Sequence, residues 1–120
     1  MERPRFERLI RQALEGLPIE IRLRMVNVDV VLEDLPTPDQ LVGSGLDEGE
    51  CLLGLYEGIP LPDRYGYDMV LPDKITLFQR SIESICSTDQ EVLTEIQDTV
   101  AHEVAHHFGI GDEELGRMGV

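Results

Sequence analysis

The chain has 120 residues, 42% hydrophobic and 28% charged, which fits one folded domain and is unlike a disordered segment. Ten Lys and Arg stand against 24 Asp and Glu, a formal net charge of −14. Such a surface repels nucleic-acid phosphates and anionic membranes, and it favours cations or is simply soluble.

Residues 4–15 read as an amphipathic helix: Pro4 suits the first turn, and Phe6, Leu9, Ile10, Ala13 and Leu14 fall on one face. The segment MERPRFERLIRQAL does not read as a signal peptide, so the expected compartment is the cytoplasm. Nor does any run approach the roughly 20 apolar residues of a membrane span. Gly16 and Pro18 end the helix, and after a short stretch the run Met25 to Leu32 reads as a strand, with Val26, Val28 and Val30 on its buried face. A connecting region rich in Pro and Gly follows, with one helical turn expected from Pro38 to Val42.

Cys51 to Tyr56 reads as a second strand, stopped by Gly58 and Pro60, and Lys74 to Gln79 as a third, with Ile75, Leu77 and Gln79 on one face. Cys51 and Cys86 have no CxxC spacing and read as two buried free thiols. Ser81 to Cys86 is a short helix or turn. Thr88 then opens a long helix as N-cap, with Glu91 completing a capping box. Val92, Ile96, Val100 and Val104 form its apolar stripe to about Phe108, where Gly109 and Gly111 break it.

The chemistry sits late in that helix. His102-Glu103-Val104-Ala105-His106 is an HExxH motif, and its i, i+4 histidines project from one face, able to hold one Zn2+ at about 2.0–2.1 Å. Glu103 can reach a water acidified by the ion and act as general base. A catalytic zinc usually has three protein ligands and one open position. Eight residues follow Asp112, too few for a glutamate on a second long helix. Gly109 fits a sharp turn, and Asp112 completes the spacing HExxHxxGxxD as the expected third ligand, with Glu113 and Glu114 as adjacent rivals.

The remaining polar residues read more plainly. His107 lies about 100° off the ligand face and reads as a packing or surface residue. Asp98, one turn before His102, could orient it but reads first as a solvated acid. Tyr65 and Tyr67 could offer a phenol to an oxyanion but read first as loop packing. Met118 reads as a tail residue rather than a floor beneath the site.

At HEVAHHFGIGDEEL, with the acidic character, the short length and the preceding strand KITLF, the chain resembles the Asp-zincins and more closely the minimal zincins, very small bacterial metallopeptidases. The likeness covers about residues 73–115. It implies an α+β fold, a small twisted sheet of three or four strands packed on a long active-site helix. It also implies zinc ligation by His102, His106 and Asp112, with Glu103 as the catalytic acid/base. A cleft would lie between the helix and the sheet's edge strand; with Lys74 to Gln79 as that edge, an extended peptide could add to it. The expected function is zinc-dependent peptide hydrolysis by a monomer acting on a peptide or protein. The alternatives are a metal-stabilised binding module without catalysis, or a regulatory protease with one partner substrate.

Overall fold

The computed structural model describes residues 1–44, 51–58 and 72–119. Helix α1 (Arg3–Glu15) carries Pro4 in its first turn and buries Phe6, Leu9, Ile10 and Ala13, the face that the spacing predicts. A second helix, α2 (Ile19–Arg24), occupies the stretch that shows no pattern in the sequence. Six residues give fewer than two turns, too short for a periodicity to register.

Strand β1 (Val28–Glu33) starts later than its valines suggest. The turn that closes α2 consumes residues 25–27, leaving Val26 85% exposed, while Val28 and Val30 pack on the core. Helix α3 (Pro38–Ser44) continues past the single predicted turn. Thr37 and Gln40 cap it reciprocally: each main-chain N–H donates to the other's side-chain oxygen, at 2.9 and 3.2 Å.

Among the described residues, strand β2 (Gly54–Glu57) and strand β3 (Asp73–Phe78) join β1 in a three-stranded sheet in the order β1-β3-β2. β1 runs parallel to β3, from Val28 opposite Asp73 to Glu33 opposite Phe78. β2 is antiparallel to β3, from Gly54 opposite Leu77 to Glu57 opposite Lys74. The expectation that Lys74 to Gln79 forms the edge is therefore corrected: β3 is the central strand, and among the described residues β2 is the edge beside the long helix. Ile75, Thr76, Leu77 and Phe78 are each fully buried. A strand covered on both faces needs no alternation, and the unbroken run ITLF is that pattern. Gln79 leaves the sheet for helix α4 (Gln79–Ser84), where its amide donates to the Met1 carbonyl and to Glu83.

Helix α5 (Asp89–Phe108) lies across the centre of the molecule, against α1 and the β2–β3 side of the sheet. Thr88 caps it as predicted, its hydroxyl accepting from the Glu91 N–H at 3.1 Å. The Glu91 carboxylate reaches one residue further back than a standard box, to the Ser87 N–H at 2.6 Å. Val92, Ile96, Val100 and Val104 are buried, together with Ala101 and Ala105. They meet Phe6, Ile21, Ile75, Leu77 and Ile82 in one cluster. A last helix, α6 (Asp112–Arg117), anchors on buried Leu115. Among the described residues, no helix is long and apolar enough to cross a membrane.

Candidate metal centre and its cleft

The end of α5 is built by a Schellman turn. Gly109 takes the left-handed conformation at φ 73°, its N–H pointing to the His106 carbonyl and the Ile110 N–H to the Ala105 carbonyl at 2.8 Å. Ile110 and Ala105 are both buried, which supplies the apolar contact that locks such a turn. The chain reverses there, and Asp112 becomes the first residue of α6.

His102 and His106 stand one turn apart, their ring centres separated by 6.4 Å. The Nδ1 of His102 lies 2.7 Å from the main-chain carbonyl of Asp98. A carbonyl only accepts, so Nδ1 carries the proton and Nε2 keeps its lone pair for a ligand. Asp98 thus orients His102 through its backbone rather than through the carboxylate that the sequence brings to mind. By donor chemistry the two imidazoles fit a divalent transition metal. Asp112, Glu113 and Glu114 share the exposed first turn of α6. Among the described residues, no three His, Cys, Asp or Glu side chains converge on one metal position, so none of these carboxylates closes the set in this structure.

Glu103 faces the sheet. Its Oε1 accepts from the main-chain N–H of Tyr56 at 3.0 Å. The Leu53 carbonyl accepts from the Phe78 N–H, so alternate β2 residues pair with β3, and the main-chain groups of Gly54 and Tyr56 point off the sheet's outer edge. Glu103 therefore sits on the edge strand itself. A Cβ at Gly54 would stand 2.6 Å from Cγ2 of Thr99, and glycine is what lets β2 approach α5 so closely. Between this edge and the helix runs a cleft of about 430 Å³, lined by Cys51 to Gly54 on one side and Glu95, Asp98, Thr99, His102 and Glu103 on the other.

The other sequence candidates divide. His107 is a packing residue, as its position off the ligand face predicts. Its ring stacks on Tyr56, centres 4.0 Å apart and planes 18° apart, with Nε2 3.9 Å from Asp73. The Tyr56 hydroxyl donates to the same Asp73 carboxylate at 2.7 Å. Tyr56 and Asp73 escape a reading of the sequence: the only signal is an aromatic residue closing an apolar run. Cys51 is exposed rather than buried, because β2 begins three residues later. The Cys86 thiol is pushed above its usual range by burial, then by the charges of Glu95 and Glu91, which favours the protonated form. Met118 is half-buried against the core. Tyr65 and Tyr67 lie outside the described residues.

Comparisons with known proteins agree with this architecture. No curated protein matches the chain. Among solved structures, it is similar to a conserved hypothetical protein from Thermo thermophilus, with 27% identity and a TM-score of 0.58, over 93% of this chain and 95% of that one. The family model for zincin-like metallopeptidases matches residues 25–120, the segment that carries the whole sheet, the long helix and the histidine pair. On that match, the chain belongs to the zincin-like metallopeptidase family.

Proposed function

We propose that this protein hydrolyses peptide bonds with one zinc ion, held by His102, His106 and a carboxylate from the first turn of α6, Asp112 by its spacing. One observation carries the reading: Glu103 lies beside the histidine pair and is held by the outward N–H of the edge strand. The base and the strand edge that would receive an extended peptide thus share one cleft.

When bound, the ion would supply Lewis acidity to the scissile carbonyl and to the attacking water. The protein's own groups do the rest. Gly54, with its main-chain N–H and C=O directed outward, pairs with the substrate backbone as a neighbouring strand would. Tyr56 holds one Glu103 oxygen, leaving the other for water. Glu103 takes a proton from the water as the C–O bond forms, then passes it to the leaving nitrogen as the C–N bond breaks. The Asp98 carbonyl keeps His102 in the tautomer that presents Nε2.

The test is zinc content by elemental analysis, together with cleavage of a peptide library by the zinc-loaded chain. About one zinc per chain, lost in His102→Ala and reduced in Asp112→Ala, supports the site. Cleavage by the wild type but not by Glu103→Gln supports the mechanism. Cleavage that survived Glu103→Gln would refute it. Zinc that raises the melting temperature with no peptide cut would make the protein a metal-stabilised binding module instead.

A further inference from the structure

We propose that Tyr56 is the positioning residue for Glu103: it clamps the outer edge of β2 onto α5 at the point where that edge grips the carboxylate, and His107 and Asp73 hold it there. The inference rests on Glu103 serving as the base. Three contacts of different kinds meet at this one side chain and its backbone. The N–H donates to Glu103 at 3.0 Å, the ring lies on His107 with centres 4.0 Å apart, and the hydroxyl donates to Asp73 at 2.7 Å.

The spacing on the helix explains why they act together. Glu103 and His107 are i and i+4, neighbours on one face of α5. Tyr56 therefore straddles a single helical turn, its backbone on Glu103 and its ring on His107. Phe108 meets the edge of both rings, with centres 6.4 Å from Tyr56 and 4.9 Å from His107, and so borders the stack. Asp73, the first residue of the central strand and itself part-buried, ties the hydroxyl to β3 and faces His107 at 3.9 Å.

A clamp is needed here because β2 is weakly held. It is four residues long and, among the described residues, pairs with β3 on one side only. Short edge strands of that kind open locally far more often than a core strand does. A hydrogen bond of 3.0 Å tolerates a displacement of only a few tenths of an ångström. A misplacement of about 1 Å in a reacting group can cost about 10²-fold in rate. Seating β2 by a ring stack and a part-buried hydroxyl contact restricts the strand without adding any group to the reaction.

The experiment uses the full zinc-loaded chain as wild type, His107→Ala, His107→Phe, Tyr56→Phe and Glu103→Gln. Zinc affinity is measured by chelator competition, amide hydrogen exchange at residue 56 by NMR, and kcat and KM on a peptide found by library cleavage. His107→Ala should speed exchange at residue 56 by about threefold to tenfold, the scale of one ring stack. It should lower kcat by a similar factor, with KM and zinc affinity unchanged. His107→Phe, which restores the stack, should recover both, and Tyr56→Phe should fall between. Unchanged exchange and kcat in His107→Ala would overturn the proposal, as would a kcat loss that Phe does not rescue. The reading of Glu103 as base fails separately, by cleavage that survives Glu103→Gln. The clamp is still judged in that case by exchange at residue 56, which needs no turnover.

Discussion

At the β1 edge of the sheet, the Arg3 guanidinium donates to the Leu32 carbonyl at 2.9 Å; at the β2 edge, the Glu103 carboxylate accepts from the Tyr56 N–H at 3.0 Å. Among the described residues, both edges face the same problem, a row of main-chain groups without a neighbouring strand. Each meets it with a charged side chain of the complementary sign, brought in by a helix. Both also border hollows of nearly equal size, about 420 Å³ beside β1 and about 430 Å³ beside β2. Size therefore does not distinguish them. The β1 hollow is lined by Arg3, Glu7, Arg11 and aliphatic side chains, and the β2 hollow ends at His102 and Glu103. Of the two edges, only the second is finished by a group that belongs to the HExxH motif, and there the side chain that satisfies the edge can have a second use.

The strongest way to break the comparison is Glu103→Gln. Loss of a positioned base is expected to lower cleavage by about 10²- to 10⁴-fold while zinc stays bound, measured as kcat/KM beside elemental zinc. The β1 counterpart, Arg3→Ala, should leave cleavage unchanged, so equal losses would mean that the two edges act alike.

Next is Gly54→Ala, which forces a methyl group to 2.6 Å from Thr99. Over-packing of this kind costs about 1–3 kcal/mol, visible in a urea melt, and it should lower activity more than that loss of stability alone explains, because β2 is pushed off α5. A full loss of stability with normal activity in the folded fraction would show that the edge need not sit so close.

Gly109→Ala tests the turn below the histidines. A side chain at φ 73° costs about 1–2 kcal/mol, and the same melt should show it. The smallest effect is expected from Arg3→Ala in stability. Arg3 is more than half exposed and its bond to Leu32 is only part-buried, so the loss should stay below about 1 kcal/mol. A larger loss would mean that the β1 edge relies on its cap more than its exposure allows.

Much of the long helix is legible in the amino-acid sequence. Its start is declared at Thr88, its stripe by Val92, Ile96, Val100 and Val104, and its end at Gly109. Each of these is a local signal, read over one or two turns. The i, i+4 histidines follow, because helical geometry alone puts them on one face. The placement of the strands is harder. KITLF is recognisable as a strand, yet nothing within five residues says how many neighbours a strand has. Its lack of alternation is the available clue that both faces are covered. Helices α2 and α6, of six residues each, lie below the length at which periodicity speaks.

What the sequence determined by itself, then, is the chemistry on offer and its local mounting: an HExxH helix with its cap, its buried stripe and its left-handed stop. Only the tertiary structure decided that β2 rather than β3 is the edge, and that Glu103 would meet Tyr56 across 47 residues of chain. It also decided that Tyr56 would in turn meet His107 and Asp73. The reason is physical. Caps and i, i+4 pairs are set by bond geometry within a turn, whereas strand order is settled by which arrangement buries the most apolar surface across the whole chain.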